Sequence, residues 1–91
     1  MLEIYFAPSF ERVLKKLDPH IKAEVKEVVS KVIDLYIAHK KTGGLGVKRL
    51  QGTIWEARAG IKIRVLYSLT GSRLTFVLAG SHDDVKNFLK G

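Results

Sequence analysis

Cysteine is absent from this chain of 91 residues, and proline (two), tryptophan (one) and methionine (one) are scarce. Without cysteine, neither disulfides nor thiolate-held metals can staple the fold, a usage that suits a reducing compartment. No apolar run approaches the roughly 20 residues that a membrane-spanning helix needs. The opening MLEIYF lacks the basic stretch and small-residue cleavage site of a secretory leader, so a cytoplasmic location without membrane involvement is the expectation. Negative charge is also short. Nine acids face sixteen bases, for a net charge of +7 and a pI near 9.9. The imbalance is uneven: residues 1–42 hold eight bases and six acids, residues 43–91 eight bases and three acids. A surplus concentrated in one half points to a polyanionic or acidic partner, either nucleic acid or an acidic protein.

The hydrophobic content, 46%, is enough for one small core. No repeat, low-complexity run or linker divides the chain, so residues 1–91 read as a single domain. Leu2 to Phe6 is short, aromatic and branched, and Pro8 stops it, as expected of a strand. Ser9 is placed as the cap of a short helix carrying Phe10, Val13, Leu14 and Leu17 on one side. Asp18 followed by Pro19 restarts the chain as a longer helix, completing a helical hairpin. Its apolar stripe is Ile21, Val25, Val28, Val29, Val32 and Tyr36, widened by Ile33 and Ile37. Lys40 and Lys41 suit its negative end, and Gly43-Gly44 terminates it.

A meander comes next. Pairing Ile54–Arg58 with Lys62–Ser68 through Ala59-Gly60-Ile61 sets Arg58 against Lys62 and Glu56 against Arg64 on one face, with Trp55 against Val65 on the other. A second turn over Leu69-Thr70-Gly71-Ser72 pairs Tyr67 with Leu74, Val65 with Phe76 and Ile63 with Leu78, all on the apolar face. Ser81 and Asp84 then form a capping box for a last helix with Val85, Phe88 and Leu89 on one stripe. The cations Lys48, Arg49, Arg58, Lys62, Arg64 and Arg73 cluster within residues 48–73 against a single acid, Glu56. One face of the sheet is thereby expected to be core and the other a cationic, phosphate-facing surface.

This order of elements carries LKKL in the first helix, VKRLQG ahead of the tryptophan strand, WEAR within it, IKIRVLY in the next strand and GSHDDV before the last helix. It resembles the RelE/ParE superfamily of toxins from type II toxin–antitoxin modules, over essentially the whole chain. The resemblance implies an α+β, RelE-like fold, β-α-α-β-β-β-α, with an antiparallel meander packed against a helical hairpin. RelE-like members are ribosome-dependent endoribonucleases that cut mRNA. ParE-like members inhibit DNA gyrase, and both kinds are neutralised by a small antitoxin. The resemblance thus implies that this chain is a metal-independent mRNA endoribonuclease that inhibits translation and needs no cofactor. Its partners would be mRNA, the ribosome and an acidic antitoxin that orders as it wraps the helical hairpin and covers the basic face. Where many RelE nucleases carry lysines in the tryptophan strand, this chain has Ile54 and Glu56. The alternative is therefore a non-catalytic toxin of the same fold, either a gyrase inhibitor or an inactive relic that still binds its antitoxin.

Arg64 stands where the family keeps an arginine just before the branched residues and Tyr67. Arg58 matches a frequent arginine late in the preceding strand, and Lys48 and Arg49 match the basic approach to the sheet. Metal-free RNA cleavage needs a base for the 2′-hydroxyl, cations on the phosphorane and an acid for the departing 5′-oxygen. Arg64 and Arg58 are the candidate phosphate clamps, since a guanidinium stays charged and donates in parallel. The structural rival for Arg64 is an ion pair with Glu56. Lys62 and His82 are the candidate proton movers, with Lys48, Arg49, Arg73 and Lys86 along the RNA path. Lys62 could equally be a solvated strand lysine, and His82 the first residue of a helix. His20 and His39 read as surface residues, Trp55 and Tyr67 as core, and Asp83 and Asp84 as helix-capping acids rather than metal ligands. No pair of histidines has metal-ligand spacing. Gly43, Gly44 and Gly46 lack the following lysine and helix of a phosphate loop.

Overall fold

Asp18 and Pro19 divide the first two helices as their chemistry dictates. The Asp18 carboxylate accepts the amide of His20 at 2.9 Å, and Pro19 occupies the first helical position, where no amide is needed. In the computed structural model, which describes residues 1–38 and 46–90, the order is β1 (Glu3–Phe6), α1 (Pro8–Lys16), α2 (Pro19–Ile37), β2 (Lys48–Gln51), β3 (Ile54–Ala59), β4 (Ile63–Thr70), β5 (Arg73–Gly80) and α3 (His82–Lys90). His39, Lys40, Lys41 and the Gly43-Gly44 stop lie outside the described residues. Pro8, not Ser9, opens α1. The Ser9 hydroxyl instead donates to the carbonyl of Val77 at 2.6 Å, tying the helix to the sheet.

The expected α+β architecture holds with one strand more. Lys48–Gln51, which reads in the sequence as an approach to the sheet, is one of its two edge strands, and the order across the sheet is β1-β5-β4-β3-β2. Strands β2 to β5 form the antiparallel meander, while β1 lies parallel to β5, so the sheet is mixed. Both hairpins differ from expectation by two residues. Ala59 faces Ile63 around Gly60-Ile61-Lys62, and Thr70 faces Arg73 around Gly71-Ser72. Gly60 (φ 70°) and Gly71 (φ 59°) supply the left-handed backbone these turns need. An offset of two preserves which face each side chain takes, so Ala57, Val65 and Tyr67 still point into the core.

One difference does change faces. Between Leu66 and Tyr67 the β4–β5 register slips, so Tyr67 faces Phe76 but Leu66 faces Leu78. The extra residue in β5 is a β-bulge. It moves Leu78 off the core face, where regular alternation would place it, onto the face of Leu66. The main core lies under α1 and α2 and joins Phe10, Val25, Val28, Val29 and Val32 to Ala57, Val65, Tyr67, Leu74, Phe76 and Ala79. Tyr67 is fully buried, with its hydroxyl 2.9 Å from that of Tyr36. Burial and this contact push its phenol far above the usual range. Ile37, expected to widen the stripe of α2, is exposed. Leu66 and Val85 are buried but stand outside this core, because α3 packs on the opposite face of β4 and β5. No helix among the described residues is long and apolar enough to cross a membrane.

Candidate nucleic-acid interface

Alternation along β3 and β4 puts Glu56, Arg58, Arg64 and Leu66 on the face away from the main core. Because α3 covers only part of that face, a cleft of about 380 Å³ remains between the helix and strands β2 to β4. Strand residues Lys48, Leu50, Glu56, Arg58 and Arg64 line one side, and His82, Val85, Lys86 and Leu89 of α3 line the other. Among the described residues its apolar surface comes from Leu50, Val85 and Leu89, and its charge from four cations and one carboxylate.

Arg64 is the most constrained of the cations. Its Nε lies 3.4 Å from Oε1 of Glu56, the two side chains being 17% and 9% exposed, and its Nη1 donates to the carbonyl of Ile61 at 3.2 Å. The ion pair foreseen as the structural rival therefore exists. It is diagonal rather than direct, since Arg64 faces Arg58 across the strands and Glu56 faces Leu66. Glu56 is also the residue opposite Lys48 on β2. Arg58 is exposed and packs against Gly46, whose φ of 59° and missing side chain leave room: a Cβ there would lie 3.2 Å from Arg58 Cδ.

His82 is the first residue of α3 and is exposed. Its position is fixed by the capping box on either side of it. The Ser81 amide and hydroxyl each donate to Asp84 Oδ2 at 2.9 Å, and the Asp84 amide donates back to Ser81 Oγ at 3.2 Å. The bonds from the backbone and hydroxyl of Ser81 hold the Asp84 carboxyl below its usual range. Gly80 is part of the arrangement, because a Cβ on it would lie 2.8 Å from Asp84 Oδ2. Asp84 is thus committed to capping, and the described residues contain no cluster of potential metal ligands.

The structure brings together Lys48, Arg58, Arg64, His82 and Lys86, and leaves three of the cations singled out in the sequence elsewhere. Lys62 is exposed in the β3–β4 turn, outside the cleft lining. Arg49 has the opposite parity, facing Trp55, and its Nε donates to the carbonyl of Gly52 at 2.8 Å. Arg73 lies at the far end of β4 and β5, 5.1 Å above the Tyr5 ring, beside a hydroxyl-lined trough with Ser68, Thr70 and Thr75. Trp55 and Tyr67 are packing residues, as expected. Sequence reasoning puts Glu56 on the cationic face beside Arg64 but does not place Leu50, Val85 and Leu89 around it; the stripe of α3 points to Val85 and Leu89, but not to the surface they cover.

No protein-family model and no curated protein matches the sequence. Solved structures do. YafQ of E. coli strain BL21(DE3) superposes with a TM-score of 0.72 over 93% of this chain and 98% of its own, at 17% identity. A chain of the E. coli DinJ–YafQ complex gives a TM-score of 0.73 at 16% identity, with 93% and 98% covered. One from the RelB–RelE antitoxin–toxin complex of Methanococcus jannaschii gives 0.70 at 17% identity, with 92% and 96% covered. The chain has the fold of these RelE-like toxins.

Proposed function

We propose that this chain is the toxin of a toxin–antitoxin pair and that its cleft binds mRNA on the ribosome and cleaves it without a metal. The observation that carries the reading is the convergence of Lys48, Arg58, Arg64, His82 and Lys86, drawn from separate strands and a helix, around one cleft. In this reading Arg64 and Arg58 receive the scissile phosphate and offset the charge that grows on it as the 2′-oxygen attacks phosphorus and the bond to the 5′-oxygen breaks. Lys48 and Lys86 hold flanking phosphates. His82 moves a proton to or from the reacting oxygens, a task to which imidazole is suited near neutrality. Lys62, outside the cleft lining, has no part in it. An acidic antitoxin would cover the basic face by charge complementarity; one of the similar structures is itself an antitoxin–toxin complex.

A second reading is a non-catalytic toxin of the same fold. It is favoured by the Glu56–Arg64 pair, which already occupies part of the strongest phosphate clamp. Incubating the purified protein with translating ribosomes and mapping the mRNA by primer extension separates the two. Discrete cuts support the nuclease; intact mRNA alongside growth inhibition supports the binder.

A further inference from the structure

Among the described residues Glu56 is the one acid lining the cleft, and it is buried among cations. Lys48 faces it from β2, Arg58 follows two residues along β3, and Arg64 Nε stands 3.4 Å from its carboxylate. Arg58 and Arg64 face each other directly, an arrangement that costs stability unless a counter-charge lies close by. Glu56 supplies that charge when no ligand is bound. Any phosphate arriving at Arg64 has to share or replace a carboxylate tethered to the same sheet. Tethering gives that carboxylate a high effective concentration, against which a single free anion competes poorly. A strand that brings neighbouring phosphates to Arg58, Lys48 or Lys86 at the same time competes well.

We infer that Glu56 is a specificity-determining residue, an internal counter-ion of Arg64 that an isolated phosphate does not displace and a run of adjacent phosphates does. This rests on the reading of the cleft as a phosphate site, and it narrows the ligand class from anions in general to polynucleotides. Glu56 makes and breaks no bond with the ligand.

The test compares wild type, Glu56→Gln, Arg64→Ala and the double variant in titrations with inorganic phosphate and with a short 2′-O-methyl RNA that cannot be cleaved. Glu56→Gln keeps the side-chain shape and removes the charge. It is expected to bind phosphate about tenfold more tightly and the RNA only about twofold to threefold more tightly, so that the preference for RNA narrows. In the Arg64→Ala background the same change should have little effect on either ligand. Equal phosphate affinity in wild type and Glu56→Gln, or an equal gain with and without Arg64, overturns the inference. If Glu56→Gln does not fold, Glu56→Asp carries the test: its retracted carboxylate should give a smaller gain, and no gain overturns the inference. Because the phosphate arm uses neither ribosomes nor cleavage, its outcome is separate from that of the nuclease assay.

Discussion

At the scale of single residues, the proposed activity rests most heavily on Arg64 and His82. Arg64→Ala removes the most constrained guanidinium of the cleft while leaving the helical hairpin untouched. It is expected to abolish growth inhibition with antitoxin binding largely intact; a pull-down beside a plate assay checks both. Losing one phosphate-clamping donor set should slow cleavage by about 100-fold or more. His82→Ala is expected to lower the single-turnover cleavage rate by about 100-fold, in the range of general acid–base catalysis, and to flatten its pH dependence. An unchanged rate would return His82 to a purely structural place at the start of α3. Both residues are legible in the sequence by type and motif. Lys62, Arg49 and Arg73 are equally visible as cations but are placed elsewhere, because side-chain parity, turn length and distance along a strand decide which charges meet.

At the scale of elements, the capping box is the clearest link between sequence and site, since it sets the start of α3 and hence the position of His82. Asp84 has a lowered pKa in the folded chain, so the unfolded chain takes up its proton first as pH falls. Its contribution is fully present above the ordinary carboxyl value, 3.8, and is lost as pH drops through the folded value. Asp84→Ala is expected to cost about 1 kcal/mol at neutral pH, as helix caps do. Thermal melts should show the gap between wild type and variant closing in acid. The helices, turns and alternation of β3 and β4 can be read from Asp18-Pro19, Gly60, Gly71 and the apolar spacing. Two features cannot. Lys48–Gln51 has three polar residues in four and lacks an alternating pattern, as an edge strand can. The bulge in β5 leaves no mark in RLTFVLAG, so alternation alone assigns Leu78 to the wrong face.

At the scale of the whole molecule, two helices on one face of the sheet and one on the other leave the basic cleft open on the side away from the main core. Binding there should be strongly electrostatic. If Lys48, Arg58, Arg64 and Lys86 each meet one phosphate, the affinity for single-stranded RNA should fall with salt with a log–log slope of about −3. Replacing Lys48 and Lys86 together by alanine should roughly halve that slope. Salt-independent binding would contradict the placement of these four side chains on the RNA. Strand β1 bears on timing instead, for it lies beside β5, with Glu3 next to Arg73 and Phe6 next to Phe76. β1 is made well before β5 and has to wait for it before it finds its neighbour. Such distant pairing delays folding. If the proposed action on translation holds, a polypeptide that has not yet reached β5 lacks its finished sheet and leaves the machine producing it unharmed, an interval in which an antidote can arrive.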